Sequence, residues 1–304
     1  MQCNIKEFKK MSDIALLEKI KNYKEEHCYQ YQKRLDTLEE DKKKYNLTDE
    51  DIANISLDDY EFKFVTDDKE RKECYEFVKR YEWLGSISQY STHTFCAYWK
   101  GIMHGVIIFG MPNAFSNMLG ENTKHIERLI QRGCSISFAH KHLASCFLSW
   151  CIRWMVKNTQ YRLFTAYSDL QAKERGVIYK SLNFYYLGQK SGTTIRCVNP
   201  YDETKIISDR TFRSRSFYKR YANDLGIIWQ KEWNNDQSVL WENIPDDIEQ
   251  RLREYSREMY RKAKKIEFPP KRKWAYVLGK DKRETKYLRK KFLELNKVYE
   301  YPKD

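Results

Sequence analysis

The run Arg162 to Gly188, RLFTAYSDLQAKERGVIYKSLNFYYLG, decides how the rest of the chain is read. Leu163-Phe164-Thr165-Ala166-Tyr167 is apolar and aromatic, the composition of a strand. Ser168-Asp169 follow as turn formers. Ala172, Val177, Ile178 and Leu182 then fall at helical spacing, and Asn183-Phe184-Tyr185-Tyr186-Leu187 reads as a second strand closed by Gly188. Strand, helix, strand is the building unit of an α/β sheet. Asp169 stands at the carboxyl end of the first strand, where open α/β sheets bind ligands, and Tyr179 lies along the helix. A carboxylate and a phenol so placed could exchange protons with a substrate.

Outward from this unit the pattern continues. Phe62 to Val65 predicts a strand and Asp67 to Tyr81 a helix. Phe95 to Trp99 and His104 to Phe109 predict two strands joined at Lys100-Gly101, a hairpin turn. His125 to Ile130 predicts another strand, and Leu143 to Val156 a strongly apolar helix. The expected class is α/β (α+β), a mixed sheet flanked by helices. Before it, Ser12 to Tyr45 carries apolar residues at helical spacing with Ser12 as N-cap. This segment predicts one long helix with a break near His27-Cys28, and Thr48 to Asp51 opens a second. Three segments are expected: a helical N-terminal arm (1–60), a sheet-bearing catalytic domain (61–198) and a basic aromatic extension (199–304). The arm could cap the domain, dimerise or bind a partner.

The 304 residues carry a formal charge of +13. Arg251 to Asp304 holds 19 Lys and Arg against 8 Asp and Glu, so most of the surplus lies in the last sixth of the chain. A basic module rich in aromatics suits a phosphate backbone; the plain alternative is a solvated cationic surface. The 23 Tyr, 15 Phe and 8 Trp exclude a disordered chain. None of the eight cysteines forms a Cys-x-x-Cys pair or joins a His at zinc spacing, so no metal is expected and the thiols read as reduced. Met1 to Lys10 is polar and charged, and no apolar run approaches ~20 residues. These features predict a cytoplasmic protein.

The wording G-x-I-Y-K-x-x-N-F-x-Y-x-G from Gly176 to Gly188 is similar to the final helix and strand of a GNAT-type acyltransferase domain. The longer series Ser168-Asp169, Gly176-Val177-Ile178-Tyr179 and Asn183 to Gly188 resembles the phage Mom family of DNA adenine modification proteins. Trp99 to Pro112, Glu127-Arg128-Leu129 with the Ser145 to Met155 helix, and Pro269 to Tyr276 with Tyr301-Pro302-Lys303 resemble further segments of that family in the same order. The resemblance implies a GNAT-like sheet and a transferase. Its expected reaction adds a small acyl-derived, carbamoylmethyl-like group to the N6 amine of adenine and hides phage DNA from restriction enzymes. DNA is the implied partner, and acetyl-CoA or another acyl donor the implied cofactor.

On this reading Asp169 orients or deprotonates the amine and Tyr179 acts as acid; their plain roles are a helix cap and a packing tyrosine. Ser145, His140, His142 and Arg128 are the expected donor-binding residues, with Ser145 at a helix start able to hold a phosphate. The loop Ala139 to Ser145 lacks the glycines that cradle pyrophosphate in ordinary acyltransferases. Arg213, Arg215, Lys219 and Arg220, interleaved with Phe212, Phe217, Tyr218 and Tyr221, and Lys271, Arg272, Lys273 and Trp274 are the expected nucleic-acid contacts. The alternative for the first group is a surface helix with its aromatic face on the core. Two other functions remain open: a GNAT-type N-acyltransferase acting on protein, RNA or a small amine, and a non-catalytic DNA-binding protein of the same fold.

Overall fold

Lys100 and Gly101 take φ of 47° and 77°. Two consecutive residues in the left-handed region make the two-residue turn whose twist matches a hairpin. In the computed structural model they join the strands Ser91–Trp99 and Ile102–Gly110 as expected. The structure describes residues 11–88, 90–112, 114–189, 194–236 and 238–303; Cys3 and the charged Met1 to Lys10 segment lie outside them.

In chain order the elements are α1 (Asp13–Lys21), α2 (Tyr29–Tyr45), α3 (Asp49–Ala53), β1 (Tyr60–Phe64), α4 (Asp68–Tyr81), β2 (Ser91–Trp99), β3 (Ile102–Gly110), β4 (Glu127–Ser135) and α5 (Leu143–Asn158). Then come β5 (Leu163–Ser168), α6 (Val177–Ser181), β6 (Tyr185–Gln189), β7 (Thr194–Asn199), β8 (Asp202–Ser208), α7 (Arg215–Asp224), α8 (Asp246–Lys262), β9 (Lys265–Phe268), β10 (Arg272–Val277) and α9 (Lys282–Leu295). Side-chain caps fix several starts. Ser12 accepts from the Ala15 N–H, Asp67 from Glu70 and Asp281 from Glu284.

The chain divides into two compact units, Lys24–Gly192 with Pro270–Asp304, and Met1–Tyr23 with Thr193–Pro269. These cut across the three segments expected from composition. The helix expected over Ser12 to Tyr45 with a break near His27-Cys28 is two helices: α1 ends at its cap Asn22 and α2 starts after Cys28. α1 belongs to one unit and α2 to the other.

The larger unit carries a seven-stranded sheet ordered β1-β2-β3-β4-β5-β10-β6. Every neighbouring pair is antiparallel except β4 and β5. This is the mixed sheet flanked by helices that the sequence implied. Its core includes Phe95, Ile108, Phe147, Phe164 and Trp274, all fully buried; burying such a side chain contributes roughly 1.5–3 kcal/mol. The β4–β5 pairing stops at Leu129 and Thr165. Beyond it β4 stays with β3 to Ser135, and β5 stays with β10 to Ser168. The two parallel strands therefore part at their carboxyl ends and open a wedge.

The last part of the chain differs from the expected basic tail. Arg272 to Val277 is β10, an interior strand between β5 and β6. Arg272, Trp274, Ala275 and Val277 are buried, so residues on both faces of this interior strand are covered, as in a strand packed on two sides. In the smaller unit β8, β7 and β9 form a sheet. Phe212, Phe217, Tyr218 and Tyr221 are its buried core, packed with Leu252 of α8. The aromatics that interleave with arginines are thus core residues, not stacking platforms for a base. Among the described residues no helix is long and apolar enough to cross a membrane, and seven cysteines are free thiols.

Candidate active site at the parting of two strands

Asp169 ends β5 at the wedge. Its Oδ1 accepts from the Gln171 N–H at 3.0 Å, and Lys271 Nζ pairs with its Oδ2 at 2.7 Å. Lys271 stands there because it immediately precedes β10, whose first residue, Arg272, lies opposite Ser168. The side chain of Asp169 is largely buried, so this pair is less screened than a surface one. The carboxylate thus fills both roles that the sequence left open, a local cap and a charged group at the mouth of the sheet.

A second carboxylate supports it, and the sequence reading missed it. Glu174 accepts from the Asp169 N–H at 2.8 Å and from Trp83 Nε1 at 2.8 Å. Burial pushes its carboxyl above the ordinary range, against the pull of those two donors. Glu82 is nearby in charge terms: burial raises it too, with Arg132 opposing and Glu174 adding to the rise. Arg132 lies on the free edge of β4 past the point where β5 leaves it and donates to the Ser86 carbonyl at 2.6 Å. Gln30 at the start of α2 accepts from the Trp83 N–H at 3.0 Å, which ties the helical arm to the same loop. No local motif marks Glu82, Trp83 or Glu174; only their long-range partners do.

Tyr179 sits on α6, a short helix that starts at Gly176. Its ring packs on Phe184 and Trp274 at centroid distances of 5.2 and 5.7 Å. Its hydroxyl makes no hydrogen bond to a described residue. Burial raises the phenol first and Glu174 second, so it stays protonated at neutral pH.

Trp274 organises this corner. Its Nε1 donates to Ser168 Oγ at 3.0 Å. A β-carbon on Gly176 would come within 2.7 Å of its Cε2. The expected role of Trp274 as a nucleic-acid contact is corrected: the indole is fully buried. Arg272 is also buried, at the edge of the same corner. Lys273 lies over the Tyr167 ring at 5.7 Å.

The expected donor-binding residues separate. His140 and His142 face each other across 5.5 Å at the start of α5, and that helix end has no side-chain cap. The Leu143 N–H donates to the His140 carbonyl at 2.9 Å and the His142 N–H to His140 Nδ1 at 3.2 Å, which leaves the next N–H groups of the turn and the remaining ring nitrogens as the set that could hold a phosphate. Partial burial, with His142 and Lys141 beside it, lowers His140. Ser145 Oγ donates to the His142 carbonyl at 3.1 Å and so closes the first turn. Arg128 is a correction. It lies at the start of β4, the opposite end from this turn, with its guanidinium 3.8 Å from the Tyr161 centroid. Seven residues of strand separate it from Ser135, a span of roughly 23 Å. Arg132 is the arginine at the wedge.

In the smaller unit, Arg213 pairs with Asp209 at 3.1 Å, Arg215 donates to the Asn235 carbonyl, and Arg220 covers Tyr201 at 5.0 Å. Lys219 is exposed. Among the described residues no group of three or more His, Cys, Asp or Glu could hold a metal ion.

The model of the Mom protein family matches residues 59–303. No curated protein matches the chain. Similar solved structures include an N-acetyltransferase from Staphylococcus aureus, 15% identical, covering 48% of this chain and 92% of its own, with a TM-score of 0.31. The ribosomal alpha-N-protein acetyltransferase RimL in complex with coenzyme A is 11% identical and covers 75% and 98%, with a TM-score of 0.36. A GNAT family acetyltransferase from Elizabethkingia anophelis with acetyl-CoA bound is 11% identical and covers 73% and 99%, with a TM-score of 0.31.

Proposed function

The chain belongs to the Mom protein family, and from that membership we propose that it is a DNA-modifying transferase, adding a small acyl-derived, carbamoylmethyl-like group to the N6 amine of adenine. The product would shield phage DNA from restriction. The observation that carries this reading is the Asp169–Lys271 pair, with Glu174 beneath it, where β4 and β5 part.

The Asp169 carboxylate, held by Lys271 and the Gln171 N–H, is a well-placed acceptor. Asp169 therefore orients the exocyclic amine by accepting one of its hydrogens. Glu174, with its carboxyl pushed up by burial, accepts the proton that the amine sheds as its nitrogen bonds to the transferred group. Tyr179, protonated and with no hydrogen bond to a described residue, supplies a proton to the departing side of the donor. The start of α5 with His140 and His142 would hold a phosphate-bearing acyl donor, which supplies the activated group. The loop from Ala139 to Ser145 lacks glycine, so the helix end rather than a glycine cradle forms that seat. The N6 amine is paired inside a duplex, so the adenine must leave the stack or be single-stranded.

The test is nucleoside mass spectrometry on host DNA after expression. A modified adenosine is expected with the native chain and is absent with Asp169→Ala. Unmodified adenine with the native chain, or an unchanged modified peak with the variant, would overturn the reading.

A further inference from the structure

A groove of about 1240 Å³ runs between the carboxyl-terminal half of α5 and the length of α9. It lies away from Asp169. β10 and β5 are antiparallel, so Val277 lies opposite Leu163 while Arg272 lies opposite Ser168. Leu278 in the groove follows Val277, which places the groove roughly 17 Å from the wedge along the strands.

The floor is apolar, with Val156, Leu278 and Leu293, and the rim is cationic. Lys282, Lys286 and Lys290 line it at successive four-residue steps on α9, so they share one face and rise about 6 Å per step. All three are exposed, as are Lys157 and Lys280. The ammonium groups of Lys157, Lys280, Lys282 and Lys286 form no ion pair among the described residues, and Lys290 reaches Glu294 only at 3.9 Å. The lining carries seven Lys and Arg against two acids, Asp281 and Glu294, a cationic excess that a bound anion would offset. The backbone turn beneath them is fixed: Gly279 has no room for a β-carbon, which would meet the Thr285 nitrogen at 2.6 Å.

We propose that this groove docks the phosphate backbone of duplex DNA. Lysines about 6 Å apart along one face fall at roughly every second phosphate of a strand, which carries one per about 3.4 Å of axis. Lysine stems cover the apolar floor while their heads meet the phosphates. The separation from the wedge corresponds to about five base-pair steps at 3.4 Å each. The groove thus grips duplex flanking the adenine that is presented to Asp169. The inference rests on DNA being the substrate, and it assigns the grip to α9 rather than to Arg213 to Arg220.

The experiment measures binding of a fluorescent 20-base-pair duplex by anisotropy across a salt series. Lys280→Glu/Lys282→Glu/Lys286→Glu is expected to weaken binding more than tenfold. The triple change to Gln is expected to lower the log–log salt slope by about 2 to 3. Lys69→Glu/Lys72→Glu/Lys79→Glu on α4 alters net charge equally and should weaken binding far less. Circular dichroism checks that each variant is folded, and the Gln form serves if the Glu form is not. Equal binding by the native chain and a folded groove variant would overturn the groove and leave DNA as substrate. So would displacement of the duplex by poly-glutamate at equal charge concentration. No duplex binding by the native chain also overturns the groove, while nucleoside mass spectrometry decides the modification reading separately.

Discussion

Gly176 and Trp274 are in direct contact, and each constrains the other. Gly176 has φ of 75°, and a β-carbon there would collide with the indole. The indole in turn holds Ser168, the residue before Asp169. The Gly-x-Ile-Tyr wording of the sequence therefore has a packing cause. It lets the helix bearing Tyr179 start against the tryptophan that sits beside the end of β5.

Gly176→Ala is expected to cost at least ~2 kcal/mol, combining left-handed strain with overpacking. Trp274→Ala should cost about 3–5 kcal/mol by leaving a cavity. Urea unfolding of the purified protein measures both. Midpoints equal to that of the native chain would contradict the contact.

Lys271→Ala leaves Asp169 with one backbone donor and no cation. Product formation should fall more than tenfold, while stability changes by less than about 1 kcal/mol because the lysine is partly exposed. The ratio of modified to unmodified adenosine, measured beside the unfolding midpoint, tests the split. A variant with full activity would remove Lys271 from the site.

Arg132→Ala and Arg128→Ala should behave oppositely. Arg132 stands at the wedge, so its loss should reduce product with a small effect on stability. Arg128 packs on Tyr161 where β4 and β5 are still paired, so its loss should destabilise by about 1–2 kcal/mol and leave the turnover of folded protein unchanged. The reverse outcome would put the donor site at the other end of β4.

Stability should fall on acidification through His104. Its ring is fully buried, and Nδ1 lies 2.9 Å from Tyr60 Oη. Burial, aided by Arg34, lowers it from 6.5 to about 3. The unfolded chain then takes up a proton that the folded chain refuses. The neutral histidine's contribution is whole above about pH 6.5 and is lost as pH drops toward 3. Between pH 7.5 and 4.5, His104→Gln should narrow the loss of unfolding free energy by on the order of 2 kcal/mol. An unchanged pH dependence in urea titrations would show that His104 does not drive it.

Much of the main sheet was legible because its signals are local. The Lys100-Gly101 turn, the Asp67 cap and the apolar helix from Leu143 each depend on a few adjacent residues. The site was half legible. Asp169 and Tyr179 announce themselves by their place in a strand–helix–strand unit. Glu174, Glu82 and Trp83 carry no such mark, since their meaning lies in hydrogen bonds and charges across distant parts of the chain. Arg128 falls where β4 and β5 are still paired and not beside the start of α5, because a strand's sequence does not say where its neighbour leaves it.

The sequence by itself determined the α/β class, the family wording from Ser168 to Gly188 and the carboxylate at the end of β5, all fixed by short-range propensity and spacing. Tertiary structure alone decided that residues 272–277 enter the sheet as an interior strand. That insertion brings Lys271 to Asp169, buries Trp274 and carries α9 with its lysines to the far end of the sheet. Strand insertion is a contact between residues about a hundred positions apart, and its energy comes from burial and ladder hydrogen bonds that no local pattern encodes.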